Sequence, residues 1–241
     1  MKASDNIIDK INRLPLGYVF TYDDFDLQVN NINAITKALS RLVTTGKISK
    51  LSPGRFYKPR ITEFGELKPE PYQVVKDLLE QNNRITGYLT GYSVYNQLGL
   101  TTQVSSVIQI GVNELKKNLS RGTFKVRFVR QYNRITKENI PLLRILDCIR
   151  NIRDIPGSTP ETSINLIKGI VKSLNADDIA LMVRLALKYN PATRALTGAI
   201  LENVSGPESV EALQKSLNPS SSYKFGFSNG ILPNKLKWAI V

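Results

Sequence analysis

Apolar residues recur at helical spacing in two segments of the first seventy positions. One predicted helix can be capped by Ser4, ends at Pro15, and carries its apolar positions on one face: Ile7, Ile8, Ile11 and Leu14. A second helix is predicted over residues 33–45, with an inward stripe at i, i+3, i+4 and i+7 spacing: Ile35, Ala38, Leu39 and Leu42. Between them, Thr21 and Asp24 have the spacing of a capping box for a short turn.

Two short apolar-containing segments after the second helix predict a β-hairpin. They cover residues 47–51 and 55–58, and the Ser52-Pro53-Gly54 sequence between them is typical of a tight turn. Helix, short turn, helix and hairpin follow one another in the order of a winged helix-turn-helix. We therefore predict a winged helix-turn-helix DNA-binding domain over residues 1–68.

The middle of the chain predicts a mixed α/β segment. Lys68-Pro69-Glu70-Pro71 is stiff and polar, so the domain boundary is expected there. Helices are predicted over residues 72–81 and 92–98, and strands over residues 104–112 and 123–128. In the last strand, alternation puts three apolar residues on one face and two basic residues on the other: Phe124, Val126 and Phe128 against Lys125 and Arg127.

The last hundred residues predict mostly helices. Pro141 suits the first turn of a helix that ends near Arg153, and start signals at Ser158, Asn175 and Asn190 predict three more helices. Pro207 begins a shorter one. The predicted fold class is therefore α+β, with the winged helix-turn-helix followed by a C-terminal domain over residues 72–241. That domain is predicted to be mixed α/β over residues 72–137 and mainly helical over residues 138–241.

Composition excludes most familiar catalytic chemistry. The chain has no His and one Cys, which excludes imidazole acid–base catalysis, Ser–His and Cys–His nucleophiles, and thiolate zinc clusters. Cys148 lies among apolar helix positions and is expected to pack as a small thiol. Asp177 and Asp178 fall in the first turn of a predicted helix, where carboxylates offset the helix dipole. A second carboxylate set has no supporting motif: Asp147, Asp154 and Glu161. We expect no enzyme activity, no metal and no cofactor.

Three features bear on the cellular location. The chain starts with polar residues and has no apolar run near the roughly 20 residues that span a bilayer. A lone Cys cannot form an internal disulfide, which suits a reducing compartment. We expect a cytoplasmic protein that does not bind membranes.

Segregated positive charge indicates a polyanionic partner. The formal net charge is +13, and residues 31–60 hold seven Lys or Arg and no Asp or Glu. A helix fits the major groove, where polar and basic side chains read base edges, while hairpin side chains reach phosphates. The candidate recognition helix residues are Asn33, Thr36, Lys37, Ser40 and Arg41. The candidate wing residues are Lys47, Lys50, Ser52, Arg55, Tyr57 and Lys58. A protein-docking module or a merely solvated helix face is the alternative, and the acid-free run favours DNA.

A second basic run extends from residue 116 to residue 137, with eight Lys or Arg and no acidic residue. Its candidate surface residues are Lys116, Lys117, Arg121, Lys125, Arg127 and Arg130. This surface could bind nucleic acid or dock an acidic protein. Equally, charge on an exposed sheet face protects it against edge pairing with another chain.

Two segments resemble the AbiEi-like antitoxins of bacterial abortive-infection systems. The segment from Gly46 through Ser52-Pro53-Gly54 to Tyr57 is similar to the N-terminal module of that family, and Gly91–Gln103 resembles the stretch that follows it. The likeness covers residues 5–135 and extends to the segments 144–147 and 217–223. Leu98-Gly99-Leu100-Thr101-Thr102-Gln103, placed after the hairpin and linker, is its most specific part.

The resemblance implies an autorepressor that binds double-stranded DNA in its own promoter, with inverted repeats as the expected target. It also implies a partner, a nucleotidyltransferase-like toxin encoded alongside, within a toxin–antitoxin system that serves phage defence. In the type IV scheme the antitoxin opposes toxicity without necessarily forming a stable complex with the toxin. The alternative is a protein-interaction module that neutralises an acidic toxin by direct binding, with DNA binding secondary.

Overall fold

The computed structural model describes residues 3–25, 32–228 and 230–241. Contacts divide the chain into two compact units. The first comprises Met1–Asp77 with Ser120–Phe124, and the second comprises Leu78–Leu119 with Lys125–Val241. Within the described ranges, no helix combines the length and the apolar character needed to cross a lipid bilayer.

The first unit combines helices with two small antiparallel sheets. Its elements are α1 (Ala3–Arg13), β1 (Val19–Thr21), α2 (Ile32–Thr44), β2 (Ser49–Ser52), β3 (Arg55–Tyr57), β4 (Arg60–Thr62) and β5 (Gly65–Leu67). Strands β1, β3 and β2 form a sheet in that order, and β4 pairs with β5 in a second hairpin that the sequence pattern did not predict.

The apolar stripes of α1 and α2 pack into the core of the first unit. Its buried members are Ile7, Ile11, Phe20, Phe25, Ile35, Leu39, Leu42, Ile48 and Phe56. The predicted capping box is confirmed, because the Thr21 backbone N–H donates to Asp24 Oδ2 at 2.7 Å beside the 3₁₀ turn Tyr22–Asp24. α1 begins at Ala3, so the predicted cap residue Ser4 lies inside the helix; its side chain is outside the described part of the structure.

The first unit continues past the expected boundary at residues 68–71, into α3 (Pro71–Leu79). Gln73 Oε1 accepts a hydrogen bond from the Val19 backbone N–H at 3.3 Å. Lys76 Nζ lies 3.5 Å from the centroid of the Tyr18 ring, within the range of a cation–π contact. These contacts explain why the first part of α3 packs with the first unit.

The second unit combines helices with strands of two sheets, one of which is a two-stranded hairpin formed by residues 80–85. Its strands are β6 (Glu80–Gln81), β7 (Arg84–Ile85), β8 (Tyr88–Thr90) and β9 (Val107–Val112), together with most of β11 (Phe124–Arg130). The intervening β10 (Leu119–Arg121) belongs mostly to the first unit. β8 pairs antiparallel with β9, and β9 pairs parallel with β11 in the register Val126 to Ile108. The short helix α4 (Tyr92–Gln97) follows β8.

The C-terminal region is helical, as predicted. Its helices are α5 (Asn139–Arg150), α6 (Pro160–Lys172), α7 (Ala176–Ala186), α8 (Pro191–Ser205) and α9 (Glu211–Lys215). Asn175 and Asn190 cap α7 and α8 through their side chains. Cys148 is fully buried, which confirms the packed thiol. The fold is therefore mixed α+β, with small sheets and a helical C-terminal region.

Gly198 of α8 packs directly against the ring of Trp238. A Cβ at Gly198 would lie 2.1 Å from the Trp238 ring, so only glycine lets the ring approach this closely. The Trp238 indole N–H donates to Glu202 Oε2 at 2.8 Å. The expectation that the aromatic tail folds back onto its domain is therefore confirmed.

Several predicted boundaries differ from the structure, and four of them are informative. The strand expected from residue 104 begins at Val107, because Ser105 Oγ accepts from the Val107 N–H and forms a local turn, leaving Val104 exposed. The helix expected to reach residue 81 ends at Leu79, because residues 80–85 form the β6–β7 hairpin. α5 ends at Arg150, short of Arg153, and a 3₁₀ turn follows. Thr159, rather than Ser158, caps α6.

Candidate nucleic-acid interface

The exposed face of α2 carries the predicted recognition residues. All five are exposed: Asn33, Thr36, Lys37, Ser40 and Arg41. They share this face because Ile35, Leu39 and Leu42 are buried on the opposite side. The helix sequence contains no Asp or Glu. Among the described residues, the ion pairs include neither Lys37 nor Arg41. Within α2 itself, the face therefore presents positive charge without a counter-charge.

The turn after α2 places the first hairpin cation directly at the end of the helix. The Lys47 backbone N–H donates to the Leu42 carbonyl at 3.0 Å, and Gly46 adopts a φ of 69°, which favours glycine. This Schellman-like ending satisfies helix carbonyls and leads the chain into β2. The Lys47 side chain is exposed.

The hairpin of β2 and β3 presents part of the predicted wing. Lys50 is exposed, whereas its neighbour Leu51 is buried, as strand alternation requires. Ser52 is half-buried before the turn. Lys47 and Lys50 are therefore the predicted hairpin cations that the structure leaves accessible.

Three predicted wing residues form contacts inside the first unit. Lys58 Nζ donates to the carbonyls of Asn12 and Leu14 at 2.7 and 2.9 Å, where α1 ends. Arg55 pairs with Asp77 at 2.9 Å and is about a quarter exposed. The third, Tyr57, is buried. The sequence does not show whether a Lys or Arg is held by a contact within the fold, as Lys58 and Arg55 are, or is free to bind a partner.

The Tyr57 hydroxyl donates to Glu66 of β5. Burial, followed by the hydrogen bond to Glu66, raises the pKa of Tyr57 to about 12. The hydroxyl therefore stays protonated and serves as a donor within the first unit. Because the Tyr57 hydroxyl and the Lys58 ammonium both donate to groups within the first unit, we leave these two residues out of the candidate interface.

Arg121, predicted on the second basic surface, is buried with 4% of its area exposed. Its guanidinium donates to the Val74 carbonyl and to both carboxylate oxygens of Asp77, with Nη2 to Oδ2 at 2.7 Å. Partial burial raises the pKa of Asp77, but the hydrogen bonds from Arg121 and Arg55 outweigh it and hold that pKa below its ordinary value. Arg121 thus stabilises the first unit and is not a surface cation.

The other residues of the second basic surface are exposed in the second unit: Lys116, Lys117, Lys125, Arg127 and Arg130. Lys125 and Arg127 lie on β11 opposite the buried face of Phe124, Val126 and Phe128, as the alternation predicted. The Arg130 guanidinium lies 5.5 Å from the centroid of the Tyr132 ring. The strand therefore presents two adjacent cations on one face.

A buried polar network in the second unit was not anticipated. Asp147 Oδ2 accepts from the Tyr88 and Thr90 hydroxyls at 2.6 and 2.7 Å, and Oδ1 accepts from Tyr189 at 2.8 Å. Burial raises the pKa of Asp147, although these hydroxyl donors partly offset it. In the described part of the chain, no group of three or more potential ligands among Cys, Asp and Glu is placed to hold a metal ion. The network therefore joins elements of the fold.

Comparison with known families matches residues 6–179 to DUF6088, described as a family of unknown function. The chain belongs to this family. Among solved structures, the chain is similar to the Rv2827c protein of Mycobacterium tuberculosis, with a TM-score of 0.64 and 13% identity over 99% of this chain and 90% of that one. At this identity the likeness shows a shared fold. No curated protein matches the chain.

Proposed function

We propose that this DUF6088 chain binds double-stranded DNA through a winged helix-turn-helix in its first unit and acts as an autorepressing antitoxin. α2 would be the recognition helix, and the β2–β3 hairpin would be the wing. The observation that carries the proposal is the α2 face, where Lys37 and Arg41 are exposed and held by a buried apolar stripe. The helix itself contains no Asp or Glu, and neither residue takes part in the ion pairs formed within the described ranges. Such a helix fits the major groove of B-form DNA.

The number of accessible cations supports a phosphate-tracking role. Each chain offers Lys37, Arg41, Lys47 and Lys50 on α2 and the hairpin, and all four are exposed. Two chains on an inverted repeat would offer about eight phosphate contacts, for which the slope of log K against log salt is about −7.

The antitoxin part of the proposal depends on the resemblance to AbiEi-like proteins in the hairpin and Gly91–Gln103 segments. The implied partner is a nucleotidyltransferase-like toxin encoded beside this chain. In that scheme the promoter complex limits expression of both genes. The wider role would be phage defence by abortive infection in the bacterial cytoplasm, without enzyme activity of this chain.

Gel-shift titration with the DNA upstream of the chain's own gene tests the proposal. The Lys37→Glu/Arg41→Glu variant should lose at least about tenfold in affinity for that DNA, since each well-placed contact contributes about 1–3 kcal/mol. Arg184→Glu changes charge on the exposed face of α7 and serves as the control, which should bind nearly as the wild type does. Equal affinity of the wild type for a random duplex at moderate salt would refute operator recognition.

A second candidate function is direct neutralisation of an acidic toxin surface. It is favoured by Lys125 and Arg127, which are exposed side by side on one face of β11. In this case Lys125→Glu/Arg127→Glu should abolish rescue from the toxin and pull-down of the neighbouring gene product, while promoter binding persists. If the variant still rescues cells from the toxin, direct neutralisation through Lys125 and Arg127 is refuted and the DNA-binding proposal stands alone.

A further inference from the structure

Two neighbouring cavities in the second unit are lined by cations. The smaller, of about 100 Å³, is lined by Arg130, Arg150 and Lys188, and the larger, of about 390 Å³, by Arg150, Arg153 and Lys224. Arg150 and Asn190 line both, so the cavities adjoin. Neither lining includes a carboxylate. Five cations therefore surround one concave region.

Within the described residues, few contacts offset the charges of these five cations. None of them takes part in the ion pairs formed among the described residues. Arg153 and Lys188 each donate one long hydrogen bond to a backbone carbonyl, at 3.4 and 3.5 Å. Asp147 acts on Arg150 electrostatically, but its oxygens accept from three hydroxyls inside the unit. Because like charges repel, an anion in the cavities would stabilise this arrangement.

The floor of the smaller cavity is held in place by the Asp147 network. Gln131 and Tyr189 line this cavity, and both are more than nine-tenths buried. The Tyr189 hydroxyl donates to Asp147 Oδ1 at 2.8 Å, and Gln131 Nε2 donates to the Tyr189 hydroxyl at 2.8 Å. A floor fixed by buried hydrogen bonds is preorganised, which lowers the entropic cost of binding a ligand.

The larger cavity adds aromatic and neutral polar groups. Tyr223 and Phe225 line it, and the Tyr223 hydroxyl is buried without a hydrogen-bond partner among the described residues. Thr193, in the first turn of the long helix α8, lines it as well, and helix N-termini favour anions. Its volume falls in the range of about 300–1,000 Å³ that small-molecule sites occupy.

We propose that these cavities form a nucleotide-binding site, in which the phosphates meet Arg150, Arg153 and their neighbouring cations while the base lies beside Tyr223. Arginine suits phosphate because its planar guanidinium donates two parallel hydrogen bonds. Aromatic faces suit bases because stacking tolerates any base. The site lies within the second unit and is independent of the α2 face. The nucleotide can be free or form the phosphorylated end of a single strand.

Isothermal titration calorimetry of the full chain tests this proposal with ATP, GTP, CTP, UTP, inorganic pyrophosphate and a 5′-phosphorylated tetranucleotide. Saturable binding of a nucleotide, at one site per chain, is expected. Arg150→Gln and Lys224→Gln should each weaken it by about tenfold or more, the usual effect of losing a hydrogen bond to a charged group. Arg184→Gln, outside the cavities, should stay within about twofold of the wild type. If the tetranucleotide binds more tightly, the ligand is the phosphorylated end of a strand. If a triphosphate binds more tightly, the ligand is a free nucleotide.

Three results would overturn the proposal. The first is the absence of saturable binding by the wild type. The second is an equal loss in Arg184→Gln, which would indicate diffuse charge. The third is pyrophosphate binding as tight as that of every nucleotide, which would exclude a role for the base. Promoter binding measured on the same Arg150→Gln protein separates this site from the DNA interface, because it should be unchanged.

Discussion

Single residues show that the sign of a charge does not reveal its partner. Lys50 and Lys58 lie eight positions apart in the same acid-free run, and both were predicted to contact DNA. Lys50 is exposed, whereas the Lys58 ammonium donates to two carbonyls where α1 ends. A cation in that position offsets the helix dipole and satisfies terminal carbonyls. No feature of the local sequence distinguishes the two lysines.

Replacing Lys58 by methionine should therefore affect folding rather than DNA binding. We expect Lys58→Met to lower the free energy of unfolding by about 1 kcal/mol, because two carbonyls lose their donor. Urea denaturation followed by circular dichroism measures this, and Lys50→Met is the matched control with an expected change below about 0.5 kcal/mol. A Lys58→Met protein of wild-type stability but weak promoter binding would return Lys58 to the interface.

Arg121 gives a pH-dependent prediction. The pKa of Asp77 is depressed in the folded chain, so its pairing stabilises the protein above the ordinary pKa of Asp, about 4, and this stabilisation is lost as pH falls through the folded value. Arg121→Gln should cost about 1–2 kcal/mol at pH 7, less than for a fully buried pair because the Asp77 side chain is 45% exposed.

The cost of Arg121→Gln should shrink as pH falls below about 4. Asp77 becomes protonated first in the unfolded chains and only at lower pH in the folded wild type, whose pKa for this group is depressed. Urea unfolding of the variant and the wild type at pH 7, 5 and 3 gives the difference at each value. Arg127→Gln, an exposed change of the same kind on β11, should show no such trend. A cost independent of pH would mean that Arg121 acts through packing and the Val74 carbonyl alone.

At the scale of secondary structure, local patterns predicted most helices and the first hairpin. The stripe of Ile35, Leu39 and Leu42 defines α2 because the residues that fix its rotation lie within eight positions of each other. Caps at Thr21, Asn175 and Asn190 were likewise visible, since a cap and its helix are adjacent in sequence. The exposed face of α2, half of the candidate interface, followed directly from this pattern.

What the sequence could not predict depends on contacts between distant residues. The parallel pairing of β9 with β11 and the packing of α3 on the first unit join segments whose sequences carry no mark of each other. Asp147 receives hydrogen bonds from Tyr88 and Thr90, more than fifty residues earlier, so its role in the network was invisible. The Arg121–Asp77 pair likewise joins residues that are far apart in the sequence.

The Asp147 network gives the prediction at this scale. Asp147→Ala would leave the hydroxyls of Tyr88, Thr90 and Tyr189 buried without their acceptor, and each unsatisfied group costs about 1–3 kcal/mol. We expect a loss of about 3 kcal/mol or more in unfolding free energy, measured by urea titration. Asp154→Ala, at an exposed acid, should change it by less than about 0.5 kcal/mol. Similar effects of both substitutions would show that the network contributes little.

At the scale of the whole molecule, a net charge of +13 is divided among regions that serve different purposes. Some cations are structural, as in Lys58 and Arg121. Others surround the cavities of the second unit, and the exposed cations of α2 and the hairpin are the ones that we propose to contact DNA. The total charge predicted a polyanionic partner. What each individual cation contacts is visible only in the structure.

The salt dependence of promoter binding tests the central claim most directly. The wild type should give a slope of log K against log salt of about −7. Lys37→Gln/Arg41→Gln should reduce its magnitude by about 3.6, because the two chains together lose four phosphate contacts and each contact removes about 0.9. Lys58→Met should keep the wild-type slope. An unchanged slope in the α2 variant, together with wild-type affinity for the promoter, would contradict the proposal that α2 binds DNA.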